Sequence, residues 1–359
     1  MAVATYHDNL AETTDTTGTG TLTLNDVAVS GSSVFPASVD GDTVIFGIKD
    51  PNGTAWEVSE GVYTDSTKAL TRTLISSSTG SLINISAAGA EVAIVVDASR
   101  MQKLENSRET LTAARTYYVR TDGSDSNTGL VDSAGGAFLT VQKAVDVTSA
   151  LDMSIYQVTI QIKDGTYTDG VVLGSYLGAL PPIIQGNNTT PSNALISTTT
   201  ESCFHLGVAS VWYIYDLKLV TTASYHCLQA LNGGTIRFSN LDFGLAASHL
   251  FATVGGAIIV DGDYEITGNA DIHVRAELTG RISCVSITVT LTGTPAFATA
   301  FARVKRVAAY QALSNTFSGS ATGKRYDIAV NGAIDTNGAG STHLPGDVAG
   351  TTATGGQYA

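Results

Sequence analysis

Apolar residues recur at fixed positions in the second half of the chain and define a cassette of about two dozen residues. Counted from Ser210, Gly234 and Gly280, apolar residues stand at the second, fourth, seventh and ninth positions. Within a cassette they alternate with polar residues, and the phase shifts once in the middle, which predicts two short strands joined at a corner. The positions are Trp212, Ile214, Leu217 and Leu219, then Ile236, Phe238, Leu241 and Phe243, then Ile282, Cys284, Ile287 and Val289.

One such cassette cannot bury its own inner face, so successive cassettes are expected to stack as the coils of a solenoid. Another copy begins at Gly256, where Tyr264 and Ile266 come one place late, as a one-residue bulge would produce. The pattern predicts a parallel β-helix, and an ordinary β-sandwich is the alternative because its strands also alternate. A weaker copy contains Ala308, Tyr310 and Leu313.

Residues 1–96 are predicted to form a small β domain of short strands separated by turns. Asp50-Pro51-Asn52-Gly53 is a turn signal between two of these strands. Residues 97–116 are richer in helix formers and are predicted to be a helical linker, which either packs on its own domain or forms a coiled-coil neck. Its heptad positions are Met101, Leu104, Arg108 and Leu111. The predicted strands are Thr21–Val29, Thr43–Ile48, Ala69–Ile75, Leu82–Ile85 and Val92–Val96.

The solenoid is predicted to occupy residues 117–317. Apolar residues between Phe138 and Asp146 have helical spacing, which predicts an amphipathic helix that closes the open end of the first coil. Residues 318–359 contain few apolar residues and are expected to be an extended segment, either disordered or ordered by neighbouring chains. The predicted fold class is therefore all-β: a small N-terminal β domain, a helical linker, a capped parallel β-helix and an extended C-terminal segment.

Composition and charge restrict the function. The chain has 37 Gly in 359 residues and only 14% charged residues, which is typical of an extended all-β protein. The formal net charge of −13 and the lack of a basic run argue against binding to nucleic acid. No stretch is long enough for membrane insertion, and the N-terminus lacks a signal-peptide pattern, so folding in a cytoplasm is expected.

The cysteine pattern predicts neither a disulfide framework nor a metal site, and nothing in the sequence calls for a cofactor. The number of cysteines is odd, and neither CxxC nor paired-His spacing occurs. Cys284 falls on a core position of its cassette, whereas Cys203 and Cys227 are expected to lie between strands.

Two stretches resemble a known class of protein. Residues 117–146, with their YYV, GSDSNTG and F-x-T-x-QKA-x-D elements, look like the entry to the pectate-lyase-like right-handed β-helices of bacteriophage tail spikes and tail fibres. The stretch from Glu12 to Thr21 is similar to the virion-attachment domain of many phage tail proteins. The same similarity extends to GDTV at 41–44, WEV at 56–58 and LTRT at 70–73.

The resemblance implies a structural virion protein, assembled in the host bacterial cytoplasm. It implies a homotrimer whose N-terminal domain binds other tail, baseplate or neck proteins, and whose β-helix binds host surface polysaccharide during adsorption. A head or neck fibre or a decoration protein without receptor binding is one alternative, and a polysaccharide depolymerase is another. Cassette positions that are expected to point outward include apolar and aromatic residues. These residues either form a protein interface or are scattered surface residues of the ordinary kind. They are Tyr213, Tyr215, Ile259 and Val285.

A glycosidase needs two carboxylates about 5–10 Å apart, which acids in one column of adjacent coils could provide. Asp216 and Asp242 are expected in different columns. Asp261, Asp263 and Glu265 cluster on one coil, which is more typical of a solvated acidic face. No Asp column with a neighbouring Arg supports a calcium-dependent lyase. We therefore predict a glycan binder, with Asp216, Asp242, Asp261 and Asp263 as the candidates if the protein is an enzyme.

The histidines show no nucleophile or partner at a recognisable spacing. They are expected to be loop or surface residues, and they are His205, His226, His249 and His273.

Overall fold

The computed structural model describes residues 10–95 and 108–359, which separate into two compact units with the boundary after Ser107. The fold is all-β, as predicted, with one short α-helix among the described residues. The first unit contains 3-10 turns at Ala37–Val39 and Asp65–Thr67, and the second contains one at Pro191–Asn193. The strands of the first unit are β1 (Ala11–Thr14), β2 (Leu22–Ala28), β3 (Thr43–Lys49), β4 (Trp56–Thr64), β5 (Ala69–Leu70), β6 (Thr73–Ser77) and β7 (Ala90–Ile94).

The first unit is a six-stranded antiparallel β-barrel. Its strands follow the order β3-β7-β1-β2-β5-β4, and pairing of β4 with β3 closes the barrel. Strand β6 pairs with the first half of β4. The turn at 50–53 joins β3 to β4, as predicted. The prediction of a strand at Leu82–Ile85 is wrong, because Ile83 and Ile85 are buried in a loop that makes a single bridge to Gly18.

An ion pair lies inside the barrel. The side chains of Arg72 and Glu57 are 1% and 0% exposed, and Arg72 Nη2 lies 2.5 Å from Glu57 Oε2. The amide N–H of Ile83 and the hydroxyl of Ser59 also donate to Glu57, at 2.8 and 2.6 Å. Arg72 donates in addition to the carbonyl oxygen of Gly18. A buried carboxylate needs such partners, so this pair ties three separate parts of the barrel together.

The second unit is a parallel β-solenoid of about eight coils, whose strands form three sheets. The first sheet contains β8 (Arg115–Val119), β9 (Val158–Ile162), β12 (Ile183–Gln185), β15 (Val211–Tyr215), β18 (Thr235–Ser239), β21 (Ala257–Val260), β24 (Arg281–Val285), β27 (Ala309–Leu313), β31 (Ala333–Asp335) and β33 (Gln357–Tyr358). The second sheet contains β10 (Gly165–Tyr167), β13 (Ala194–Ser197), β16 (Lys218–Val220), β19 (Asp242–Phe243), β22 (Tyr264–Ile266), β25 (Thr288–Leu291) and β28 (Thr316–Gly319). The third sheet contains β11 (Val171–Leu173), β14 (Phe204–Leu206), β17 (His226–Ala230), β20 (Ala246–Ala252), β23 (Ala270–Ala276), β26 (Ala296–Lys305), β29 (Thr322–Gly323), β30 (Tyr326–Ala329) and β32 (Thr351–Thr352).

The cassette is one part of each coil. Its apolar residues stack in register, as in the pairing of Trp212 with Ile236 and of Ile236 with Ile258, and all three side chains are buried. This confirms the predicted parallel β-helix. The two strands predicted for each cassette belong to the first and second sheets, and the third strand of each coil was not predicted.

The late apolar positions in the copy at Gly256 are confirmed. Asp242 pairs with Glu265 and Phe243 with Ile266, so the ladder of the second sheet stays in register. The additional residue lies in the corner between β21 and β22. That corner therefore absorbs the insertion without displacing either strand.

A helix covers the first coil, as predicted. Helix α1 spans Val141–Ser149. Thr140 precedes it, and the Thr140 hydroxyl oxygen accepts a hydrogen bond from the Lys143 amide. This is the usual N-cap arrangement. Ala144 and Val145 are buried in the core of the solenoid. Phe138 is also buried there, but it precedes the helix and bridges to β8.

The predicted helical linker falls mostly outside the described residues, including Met101 and Leu104. Its described end, residues 108–116, is not helical. Thr110 bridges to Asp152, β8 begins at Arg115, and Leu111 is buried in the core of the solenoid.

The prediction of a separate C-terminal segment after residue 317 is wrong. Strands β30 to β33 continue the ladders of the first and third sheets, and Ile328, Ile334 and Leu344 are buried in the same core. Few apolar residues are sufficient here, because a coil added to an existing solenoid pairs its backbone with the preceding coil.

All three cysteines are buried and free of disulfide bonds. Cys203 lies between β13 and β14, as predicted, whereas Cys227 lies on β17, which corrects its prediction. Both side chains belong to the core of the solenoid. Burial raises the pKa of the Cys284 thiol to about 12.

Candidate functional site

A groove of about 400 Å³ lies along the second sheet of the solenoid. One wall is the segment Thr189–Ser192, and the floor is formed by residues of three successive coils, including Asp242, Glu265 and Thr290. The wall exists because eight residues, 186–193, connect β12 to β13, whereas the equivalent corners of other coils contain two or three. Inserted loops on a rigid scaffold are common positions for binding sites.

Two carboxylates on the floor of the groove are neighbours. Asp242 and Glu265 are register partners on β19 and β22. Adjacent strands are about 4.8 Å apart, so the two side chains leave the sheet side by side. The pairing of Asp242 with Glu265 was not predicted from the sequence. The one-residue shift at Tyr264 was the signal that could have placed Glu265 beside Asp242.

Asp242 and Glu265 differ in their partners. Asp242 is 5% exposed, accepts a hydrogen bond from the Thr267 hydroxyl and forms an ion pair with Lys218 at 2.7 Å. Glu265 accepts one hydrogen bond, from Thr292. Lys218 and Thr267 together engage both oxygens of the Asp242 carboxylate. The floor of the groove can therefore accept hydrogen bonds from hydroxyl groups of a bound molecule, mainly through Glu265.

The other predicted carboxylates have different positions. Asp263 also lines the groove, and its side chain accepts a hydrogen bond from the Thr288 amide at 2.7 Å. Asp216 supports the groove indirectly, since it accepts a hydrogen bond from Asn240 at 2.7 Å. The same Asn240 amide donates to the carbonyl oxygen of Asn188, at the base of the inserted loop.

Asp261 lies outside the groove, in the corner directly after β21, and reaches side chains on the outer face of the first sheet. It pairs with Arg237 and accepts a hydrogen bond from the Tyr215 hydroxyl. The Arg237 guanidinium lies 5.6 Å from the centre of the Tyr213 ring. Burial, with a contribution from the Asp261 charge, raises the pKa of Tyr215 to about 12. The structure therefore brings Asp242 and Asp263 together, with Asp216 behind them and Asp261 apart.

The predicted outward residues do face away from the core. Tyr213, Tyr215 and Ile259 are half-buried and Val285 is 46% exposed. Tyr213 and Tyr215 lie side by side with ring centres 5.9 Å apart.

The prediction that the histidines lie in loops or at the surface is wrong for His249 and His273, whereas His205 and His226 are half-buried. His205, His226, His249 and His273 each occupy the third-sheet strand of a successive coil. His249 and His273 are fully buried. Their strands were not predicted, so their pattern could not be recognised from the sequence.

The two buried histidines form one hydrogen-bonded chain. Tyr264 Oη lies 2.8 Å from His273 Nε2, the two Nδ1 atoms are 2.9 Å apart, and His249 Nε2 lies 2.7 Å from the Gly244 carbonyl oxygen. The carbonyl can only accept, so His249 Nε2 carries a proton and its Nδ1 accepts from His273. Tyr264 then donates to His273. This assignment of protons satisfies every ring nitrogen with both imidazoles neutral.

Burial lowers the pKa of His249 to about 4. It also lowers the pKa of His273, which the neighbouring His249 lowers further.

No group of three or more metal-ligating side chains was found among residues 10–95 and 108–359. No helix in these same ranges is long and apolar enough to cross a membrane.

The fold defines the class of the protein as a small β-barrel followed by a parallel β-solenoid. Comparisons of the chain with models of protein families, with curated proteins and with solved structures found no match.

Proposed function

We propose that this protein is a structural component of a bacteriophage virion, a trimeric tail spike or fibre whose solenoid binds host surface polysaccharide. The observation that carries the proposal is the groove beneath the inserted loop, which presents hydroxyl and carboxylate groups along three coils. An elongated, shallow and polar groove suits a chain of sugar hydroxyls better than a compact apolar ligand.

The solenoid supports a role as a rigid projection. Ten strands of the first sheet stack in one ladder, which gives a length of about 43 Å at about 4.8 Å per strand. Its core is continuous from α1 to the last coil. Repeated coils also present similar surfaces side by side, which favours weak, multivalent binding to a repeating polymer.

The barrel supports a role in attachment to the virion through its resemblance to phage tail proteins. Residues from three of the motifs that carry this resemblance contact one another inside the barrel. Glu57 of WEV and Arg72 of LTRT form the buried ion pair, and Arg72 also binds the carbonyl oxygen of Gly18. The resemblance therefore rests on residues that hold the barrel together.

The proposal is tested by incubating purified protein with surface polysaccharide from susceptible cells, while both binding and the release of oligosaccharides are followed. We expect binding without fragments. Glu265→Gln should weaken binding, whereas Asp335→Asn, an exposed change at the end of β31, should not. Neither binding nor fragments would favour a head or neck fibre or a decoration protein. Sedimentation equilibrium should give three times the chain mass of 37.1 kDa.

The neighbouring carboxylates favour a second candidate, a polysaccharide depolymerase. The spacing of Asp242 and Glu265 on adjacent strands is close to the roughly 5 Å between carboxylates that retaining glycosidases use. Released oligosaccharides that disappear in Asp242→Asn and in Glu265→Gln would establish this activity. Fragments that persist in both variants would place catalysis elsewhere.

A further inference from the structure

Basic side chains gather on the outer face of the third sheet, although the whole chain carries a formal net charge of −13. Arg275 and Arg303 are register partners on β23 and β26, and Lys305 and Arg306 follow in the chain. We call these four residues the basic face. Buried residues alternate with Arg275, Arg303 and Lys305 along their strands, so these side chains point away from the core, and Arg306 is exposed just after β26.

The basic face has more cations than anions. Glu277 lies 3.1 Å from Arg275, 3.1 Å from Arg306 and 3.8 Å from Arg303. Asp327 lies 2.7 Å from Lys305 and 3.9 Å from Arg303. Four cations thus share two carboxylates, which leaves an excess of two positive charges.

Arg303 is the residue with unused donors. Its Nε atom is buried and has no hydrogen-bond partner among the described residues, and its contacts to carboxylates, at 3.8 and 3.9 Å, are too long for hydrogen bonds. Arg275, in contrast, is held in place, since its guanidinium lies 4.4 Å from the centre of the Phe251 ring and its Nε donates to Glu277. Like charges on directly neighbouring strands are destabilising, and Glu277, which lies near both Arg275 and Arg303, offsets only part of their charge.

We propose that the basic face binds carboxylate groups of an acidic surface polysaccharide, with Arg303 as the main contact and Arg275 beside it. Guanidinium groups bind carboxylates through two parallel hydrogen bonds, which the two Nη groups at the end of the Arg303 side chain would donate. A polymer with one carboxylate per repeat matches the modest excess of charge, and the acidic remainder of the chain repels it less than it repels double-stranded nucleic acid, which carries one charge per about 1.7 Å. This inference rests on the proposed function, because it names the class of glycan and a second surface that binds it.

The test measures binding of the full chain to polygalacturonate, a uronic acid polymer, and to neutral dextran by titration calorimetry. We expect polygalacturonate to bind, with an affinity that falls as sodium chloride is raised from 50 to 300 mM, and neutral dextran not to bind. Arg303→Gln should weaken binding at least tenfold, because it removes a charge-assisted contact. Arg281→Gln is the matched control, since it removes an exposed arginine of the first sheet, and it should change affinity less than twofold.

Thermal melts establish whether each variant is folded. If Arg303→Gln is unfolded, Arg303→Lys decides the matter, because it keeps the charge and loses the paired hydrogen bonds; it should still weaken binding several-fold. Equal binding by Arg303→Gln and the unaltered chain overturns the inference. Failure of the unaltered chain to bind polygalacturonate also overturns it. If, in that case, Arg303→Gln dissociates an oligomer of the protein, the basic face is assigned to contact with a second copy of the chain. If host polysaccharide still binds in that case, the proposed function stands and the acidic glycan alone is rejected.

Discussion

Acid should destabilise the solenoid through the histidine pair in its core. The chain from Tyr264 through His273 and His249 to the Gly244 carbonyl satisfies all donors and acceptors only while both rings are neutral. A second proton on His249 would place two N–H groups against each other at the 2.9 Å contact between the Nδ1 atoms, and a second proton on His273 would lie on Nε2, where the ring could no longer accept from Tyr264. Lowering the pH is therefore the perturbation that tests this arrangement.

The size of the effect follows from the pKa of His249. Burial lowers this pKa to about 4 from the ordinary value of 6.5. Below pH 6.5 the unfolded chain binds a proton that the folded protein excludes until about pH 4, so stability falls as the pH falls through this window. From this difference in pKa we expect a loss of about 2 kcal/mol between pH 7 and pH 5. His273, whose pKa is also lowered, adds to the loss in the same direction.

The two tryptophans of the chain allow the solenoid to be observed alone. Trp212 is fully buried in the solenoid, and Trp56 is 44% exposed in the barrel. In a Trp56→Phe background, guanidinium unfolding followed by the emission of Trp212 should show the expected loss at pH 5 relative to pH 7. The double variant His249→Gln/His273→Gln should be less stable at pH 7 but should lose less stability on acidification. His205→Gln, on the outer face, is the matched control. If the double variant loses as much as its parent, the buried rings are not the source of acid sensitivity.

Three further predictions concern stability. Arg72→Met should cost the barrel about 3–5 kcal/mol, because Glu57 remains buried without its cation; hydrogen exchange of β4 should rise, and additional Glu57→Gln should recover part of the loss. Thr140→Ala should cost the solenoid about 1 kcal/mol through loss of the α1 cap, while Thr140→Ser retains it; Trp212 emission measures both. Gly256→Ala would place a Cβ 2.2 Å from a backbone oxygen, so its melting temperature should fall, unlike that of Gly135→Ala, where nothing lies within 4 Å.

The parts of the fold that sequence reasoning found share a strict alternation of apolar and polar residues. Strands of the first two sheets carry Trp, Ile, Leu and Phe at every second position, and the cassette followed from them. The third-sheet strands Ala246–Ala252 and Ala270–Ala276 contain several alanines and a buried histidine each. Residues of these strands are buried because of the bends between sheets and the stacking of coils. Burial of this origin does not produce a regular apolar period in the local sequence. The last coils were missed for the same reason.

The candidate groove was only partly accessible to sequence reasoning. Asp242 and Asp263 were identified as candidates, but Glu265 was grouped with the acids of its own coil. The residue that lies beside Glu265 depends on which corner contains the additional residue. The position of that residue is set by the pairing between coils and is not visible in the sequence of one coil. The basic face was not found at all, because Arg275 and Arg303 are distant in sequence and are brought together by stacking alone.

The additional residue between β21 and β22 and the eight-residue loop between β12 and β13 both leave the ladders of the solenoid in register. Corners can therefore vary in length while the walls stay constant. Duplication or loss of a whole coil would likewise change the rod by one step of about 4.8 Å and preserve its cross-section. In evolutionary terms, the reach of this protein and the specificity of its loops are separable traits, each open to selection without altering the other.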